Sequence, residues 1–264
     1  MDHYETGDVA KKYHATFNEG SDDPILIRKA IDRYSKFVNN IKEAGHILDA
    51  GCGTGRFVKY FRAKNFRVTG IDASTSMLEI AIKDNPDTEF FVMDMRALTF
   101  PSSYFDGIWN SGCILHLDEE GAMSTFKESA RVLKKDGIFY VATRTRVEDS
   151  VIVEESTEGG KIVVNYHSVA KLRLLLELAG FEIIGISVEP DDFGRPFDYC
   201  YIFARNLNEQ KLGENKYFQL NSGNEVDIFV CSDGAARIFS KSPISKIVIL
   251  PQFKSSEIYF GGRV

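Results

Sequence analysis

The chain has 264 residues, 44% of them hydrophobic and 27% charged, with a formal net charge of −6. That is length and apolar content enough for a sizeable core, and the acidic balance argues against broad electrostatic binding to nucleic acid or anionic membrane. No run reaches the ~18 apolar residues of a membrane helix, the N-terminus lacks a signal-peptide core, and four scattered cysteines form no C-x-x-C pair, which predicts a cytoplasmic protein with reduced thiols and no metal site.

Residues 1–24 read as a polar lead ending in Ser21-Asp22-Asp23-Pro24, the chemistry of a helix cap followed by a first-turn proline. A helix is predicted over about 25–43, with Ile25, Leu26, Ile31, Tyr34, Phe37, Val38 and Ile41 at helical spacing and Gly45 as its left-handed cap. Strand, turn and helix then alternate. Strands are predicted at 46–50, 66–72, 89–94, 104–110 and 138–143, with helices at 56–64, 74–83 and 119–133 between them. Lys135-Asp136-Gly137 reads as the turn into the fifth strand.

Val151-Ile152-Val153 and Lys161-Ile162-Val163-Val164 flank an acidic Gly-Gly tip, the pattern of a hairpin. Ser168 caps a leucine-rich helix ending at Gly180, and two more strands follow at 181–188 and 199–204. Residues 206–215 are a polar linker. The tail changes texture: strand-like runs at 217–220, 226–230, 237–239, 247–250 and 257–260 lie between turn clusters, with no helical period. Strands separated by helices imply parallel pairing with right-handed crossovers, hence an α/β, Rossmann-like doubly wound, mostly parallel seven-stranded sheet with a small C-terminal β appendage. The division predicted is 1–45 for lead and cap helix, 46–206 for the main domain (145–200 being a substrate-side insertion and the last strands), and 207–264 for the appendage.

The organising stretch is Leu48-Asp49-Ala50-Gly51-Cys52-Gly53-Thr54-Gly55. An apolar strand runs into three glycines at alternate positions and then into a helix, which reads as a turn with a ligand against its backbone. Asp72 closes the next strand 21 residues after Gly51, where nucleotide-binding folds hold ribose hydroxyls. Dinucleotide turns prefer G-x-G-x-x-G, whereas this chain has Gly51-x-Gly53-x-Gly55 preceded by Asp49. A carboxylate two residues before the glycines is poorly placed beside a pyrophosphate and suits a cationic ligand.

That stretch resembles the first motif of class I S-adenosylmethionine-dependent methyltransferases. So do Gly70-Ile71-Asp72, Met93-Asp94-Met95, Phe105-Asp106-Gly107-Ile108-Trp109-Asn110 and Ala130-Arg131-Val132-Leu133-Lys134-Lys135-Asp136-Gly137. The likeness covers about residues 40–205 in order and leaves out the tail. It implies S-adenosyl-L-methionine as cofactor, with Asp49 near the ammonium, the backbone of Gly51, Cys52, Gly53 and Gly55 against the methionine part, and Asp72 with Ala73 at the ribose. Asp94 and Met95 would serve the adenine end, Met77 is a further cofactor-binding candidate, and Asn110 would hold a polar group of cofactor or substrate.

On the acceptor side, His116 is the candidate general base or acceptor contact, with a packing histidine as the alternative, and Asn110 is the second catalytic candidate. Tyr13 and His14 resemble the segment that covers the site in many small-molecule members, against a merely packing terminus. Arg144 is a candidate for an acidic acceptor or a surface arginine; Tyr166 lines the pocket or staples the next helix. The chain has no Asn/Asp-Pro-Pro-aromatic motif after the fourth strand, which speaks against base amino-group methylation. The expected activity is methyl transfer to a small-molecule acceptor, with nucleic acid disfavoured and no membrane partner. An RNA- or protein-directed enzyme docking through the tail is the alternative, although that tail is near charge balance with 7 Lys/Arg against 6 Asp/Glu. A non-catalytic relative that binds the cofactor is the third reading.

Overall fold

The structure is a computed structural model that describes residue 4 and residues 6–18, 24–156, 158–191, 195 and 197–207, together with tail strands at 218–219, 225–230, 236–240 and 258–261. It divides into two units, Met1–Asn208 and Glu209–Val264.

In the first unit five strands run parallel: β1 (His46–Ala50), β2 (Arg67–Asp72), β3 (Glu89–Val92), β4 (Phe105–Ser111) and β5 (Leu133–Thr145). A separate antiparallel hairpin, β6 (Ser150–Glu155) and β7 (Lys161–Tyr166), follows β5. Then β8 (Phe181–Pro190) and β9 (Asp198–Asn206) complete the main sheet, β9 lying antiparallel between β5 and β8. The order is β3-β2-β1-β4-β5-β9-β8, so the chain reverses direction across the sheet between β1 and β4. In an open α/β sheet, that reversal opens a crevice at the carboxyl ends of the two strands.

Six helices accompany the strands: α1 (Gly7–Asn18), α2 (Pro24–Val38), α3 (Val58–Arg62), α4 (Thr75–Asp84), α5 (Glu119–Val132) and α6 (Val169–Leu178). The pleat sends neighbouring residues to opposite faces. Leu48, Ile108 and Phe139 join Phe126 of α5 and Leu172 of α6 in one buried cluster. Ile47, Trp109 and Tyr140, each one position away, join Phe37 of α2 and Phe61 of α3 in the other. A strand buried on both faces reads as a continuous apolar run, which is why β1 and β4 were legible. On the α2 side, Tyr34, Trp109 and Tyr140 stack with ring centroids 5.0 and 3.8 Å apart, fixing the helix against the sheet.

Several boundaries differ from expectation. α2 ends at Val38, not near 43, and the left-handed residue is Ala44 (φ 54°), so Gly45 is not the cap. Gly45 is small for a different reason: a Cβ there would lie 2.8 Å from the Lys42 carbonyl oxygen and 3.0 Å from Asp106 Cβ. Asp106 approaches because its Oδ2 accepts the His46 N–H at 2.8 Å. The turn expected at 135–137 lies inside β5, where Asp136 takes φ 61° and the pairing with β4 shifts register. α3 is shorter than its pattern because three-residue turns, such as Val58 N–H to Gly55 carbonyl at 3.2 Å, precede it. The lead, read as a polar segment, contains helix α1. Residues 21–23, read as its successor's cap, lie outside the described residues, as does the run at 247–250.

The second unit contains a four-stranded sheet ordered β10-β11-β12-β13, from strands Phe218–Gln219, Glu225–Val230, Ala236–Ser240 and Ile258–Gly261. The first three pair antiparallel, and β12 pairs with β13 in parallel. No helix among the described residues is long and apolar enough to cross a membrane.

Candidate active site

After β1 the backbone turns through Gly51, Gly53 and Gly55 with φ of 75°, 54° and 77°. The N–H groups of Gly51 and Cys52 both donate to the Ile71 carbonyl of β2 at 2.8 Å, clamping the turn to the neighbouring strand. A Cβ on Gly51 would sit 2.2 Å from Cys113 Sγ and 3.2 Å from Met95 Cε, so no side chain fits there. The Cys113 thiol donates to the Gly51 carbonyl at 3.3 Å, and burial pushes its pKa well up. Gly53 faces the other way, where the nearest atom to a Cβ would be the Tyr13 ring at 3.6 Å. Cys52 is buried beneath the turn, its thiol likewise pushed up by burial.

Asp49 carries the electrostatics. It is 1% exposed, and its Oδ2 has no hydrogen-bond partner among the described residues. Burial pushes its pKa up to about 8; the nearby Arg56 charge opposes this and Asp72 adds to it. A buried carboxylate lacking a partner is costly, and a cationic group in the turn would relieve it. The ammonium of an amino-acid ligand fits that position, so the donor set suits S-adenosylmethionine. Asn110, fully buried at the end of β4, donates from Nδ2 to the Ala50 carbonyl at 3.1 Å, bracing β4 to β1, while its Oδ1 finds no partner among the described residues.

Asp72, at the end of β2, accepts the Gly53 N–H through Oδ2 at 2.8 Å and the Ser74 N–H through Oδ1 at 2.9 Å. An ionised carboxylate has about four lone-pair sites, so it retains capacity for hydroxyl donors. The cap of α4 is Ser74, whose Oγ accepts the Met77 N–H at 3.2 Å. Met77 is therefore buried in the first turn of α4, and Ala73 is exposed before it. Past β3, Asp94 is gripped by Arg96, which donates to it from Nη2 at 2.6 Å and from its backbone N–H at 2.8 Å. That arginine holds the Asp94 carboxyl below its usual range. Met95 Sδ lies 3.5 Å from Asn110 Nδ2, so Met95, Asn110, Cys113 and Gly51 form one contiguous wall.

The N-terminal residues lie over this wall. The Tyr4 carbonyl accepts the Ser74 hydroxyl at 2.6 Å, and the Tyr4 ring packs edge-on against Tyr13 (6.0 Å) and His116 (5.5 Å). Burial pushes the Tyr13 phenol up to about 12, opposed by Arg56. His116 is exposed, in the single 3-10 turn Ile114–His116. His14, expected with Tyr13, turns to Asp84 at the end of α4, Nε2 to Oδ2 3.4 Å.

Arg144 and Tyr166 meet in a network of their own beside β5. Arg144 pairs with Glu154 at 2.9 Å and lies 4.3 Å over the Phe197 ring; the Tyr166 hydroxyl donates to the same Glu154 carboxylate. Burial first, and Glu154 second, push the Tyr166 phenol up to about 12. The network borders the covered site, since Leu115 of the turn Ile114–His116 packs with Tyr166 and Phe197; the Tyr4 phenol is raised by burial and then by Tyr13 and Glu158.

Sequence reading brought out the wall but missed Tyr4, Arg56, Glu158 and the whole of α1. The available signal was the placing of Val9, Ala10 and Tyr13 at i, i+1 and i+4, one helical face within a polar segment.

Residues 47–137 match the family model described as a methyltransferase domain. Over 226 residues the chain is 28% identical to phosphoethanolamine N-methyltransferase 1 of Arabidopsis thaliana, covering 83% of this chain and 44% of the plant protein. The chain spans about half the length of the curated relatives it matches. A solved S-adenosylmethionine-dependent methyltransferase of Methanosarcina mazei shares the fold with a TM-score of 0.59 at 22% identity, covering 71% of this chain and 99% of that one. So does the 1,6-didemethyltoxoflavin-N1-methyltransferase of Burkholderia thailandensis, solved with 1,6-didemethyltoxoflavin and S-adenosylhomocysteine bound, at a TM-score of 0.55 and 20% identity over 75% of this chain and 87% of that one. The matched segment runs from β1 into β5 and contains the glycine turn, Asp72, Asp94 and Asn110, so residues 47–137 are a methyltransferase domain, set in the fold that these solved methyltransferases share.

Proposed function

We propose that this protein transfers the methyl group of S-adenosylmethionine to a small-molecule acceptor. The observation that carries the reading is the cover over the glycine turn: Tyr13 against Gly53, and Tyr4 bridging Tyr13 and His116. A roofed site suits a small acceptor better than a polymer, which needs an open groove. The relative named for phosphoethanolamine supports the same class.

When bound, the cofactor supplies a methyl group on a sulfonium, a carbon already activated for in-line displacement. Any proton the acceptor has to lose leaves to solvent or to a base. The chain's own tasks are therefore to bind, align and exclude water. Asp49 holds the ammonium, Asp72 the ribose hydroxyls, and the turn after β3, with Asp94 and Met95, the adenine. Asn110 offers its free Oδ1 beside the reacting centre. Tyr4 and Tyr13 exclude water, and His116, at the exposed rim, takes the proton where the acceptor must lose one.

Incubation with methyl-labelled S-adenosylmethionine, in the presence of small amines and acids (phosphoethanolamine among them), total RNA and total protein, tests the proposal. Label in the small-molecule fraction is expected; label confined to RNA or protein would overturn the acceptor class.

A further inference from the structure

We infer that the acceptor carries an oxyanion, a phosphate or carboxylate, and that Arg144 and Arg146 are the residues that bind it. The inference rests on the methyl-transfer reading above and specifies its substrate.

Both arginines leave the carboxyl end of β5, the strand beside β4, whose end carries Asn110 and leads into Cys113 and His116. Each is fixed by stacking: Arg144 lies 4.3 Å over Phe197, and Arg146 lies 4.3 Å over Tyr166. Arg144 is also tied by Nη1 to Glu154 at 2.9 Å, its side chain only 14% exposed. In both arginines the Nε–H is buried and finds no hydrogen-bond partner among the described residues. A guanidinium held flat on a ring with an edge donor unsatisfied is pre-organised for a bidentate oxyanion, and it pays a desolvation cost until one arrives.

The local charge balance agrees. Arg195 stacks on Phe197 as well, at 4.8 Å, and its charge is answered by Asp191 at 2.7 Å. Glu154 answers one of the remaining two guanidinium groups, since the Tyr166 hydroxyl donates to it and brings no charge. Arg146, stacked on Tyr166, is in no ion pair among the described residues. The network borders the roofed site, because Leu115, in the turn that carries His116, packs in one buried cluster with Tyr166 and Phe197.

The test uses the full chain with S-adenosylhomocysteine bound, titrated calorimetrically with inorganic phosphate and, separately, with acetate. Saturable binding of one or both anions is expected, the stronger one naming the group. Arg144→Gln and Arg146→Gln should each weaken it by about tenfold, the scale of a charge-assisted bidentate contact. Arg144→Lys should recover less than half of the loss, since it keeps charge without the planar fork. Arg205→Gln, which breaks a surface pair with Glu182 at the opposite end of β8 and β9, should leave it unchanged. Melting curves confirm that each variant folds, and Arg146→Gln, which breaks no ion pair among the described residues, covers the case in which Arg144→Gln does not. Anion binding that is absent, or equal in the two Gln variants and the parent, overturns this inference while S-adenosylhomocysteine binding stands. Failure of S-adenosylhomocysteine to bind at all overturns the underlying methyl-transfer reading instead.

Discussion

Cys113 lies directly under Gly51, its sulfur 2.2 Å from the point a Cβ at position 51 would occupy. The glycine is thus required twice, by its φ of 75° and by the thiol beneath it. Gly51→Ala should cost about 2–5 kcal/mol, adding left-handed strain to overpacking, and should abolish S-adenosylhomocysteine binding. The double variant Gly51→Ala/Cys113→Ala should regain part of that stability, since only the overpacking is relieved. Thermal or denaturant unfolding measures the difference; strictly additive effects would mean that the two residues do not press on each other.

Asp49 makes cofactor binding depend on pH. With its pKa pushed up to about 8 by burial, the ligand-free carboxyl is protonated at neutral pH, while a cationic ligand needs it ionised. Affinity should therefore rise as pH is raised towards 8, by at most about tenfold per pH unit, and level off above. The sign is opposite for the ligand-free fold. Between about pH 4 and 8 the folded state keeps a proton that the unfolded chain gives up, so this group's contribution makes stability fall as pH rises through that window. Asp49→Asn should flatten both profiles and weaken binding most at the alkaline end. A parent affinity that is level from pH 6 to pH 8 would remove Asp49 from the ammonium site.

Asp72 has a structural task as well as a binding one, because it accepts the N–H groups of Gly53 and Ser74. Asp72→Ala should lose S-adenosylhomocysteine affinity and also about 1–3 kcal/mol of stability, from two backbone donors left without their acceptor. Unfolding and calorimetry on the same preparation read the two effects, and unchanged affinity would withdraw the ribose assignment.

Tyr13 turns its ring to the glycine turn: its Cε1 lies 3.6 Å from the point a Cβ at Gly53 would occupy. Tyr13→Ala should speed S-adenosylhomocysteine release by roughly tenfold, the weight of one buried aromatic face, whereas Tyr13→Phe should stay within about twofold of the parent. Stopped-flow release kinetics distinguish them. Equal rates for all three would mean that α1 does not cover the cofactor.

The parts of the molecule that were legible in advance share a physical cause. Strands β1, β2 and β4 are buried on both faces and carry Ile47-Leu48, Val68 with Ile71, and Ile108-Trp109 at their centres, and the glycine turn is constrained by backbone geometry that few other residues can adopt. Ser74, Asp118 and Ser168 act as the helix caps their chemistry suggests. What escaped was tertiary. Over residues 7–16 of helix α1 Ala10 alone is fully buried, with Val9, Tyr13 and His14 half-buried, so its period is faint. Glu154 looks like a solvated hairpin acid until Arg144 and Tyr166 are seen to converge on it. The grip of Arg96 on Asp94 is a contact two residues apart that spacing alone does not announce, and the left-handed Ala44 beside Gly45 reverses the usual expectation of which residue takes that conformation.

The most direct measurement is a calorimetric titration of the full chain with S-adenosylhomocysteine at about pH 8. The account predicts saturable binding to one site per chain, greatly weakened in both Asp49→Asn and Asp72→Ala while those variants still unfold cooperatively. No binding by the parent, or the same affinity in both variants, would contradict it.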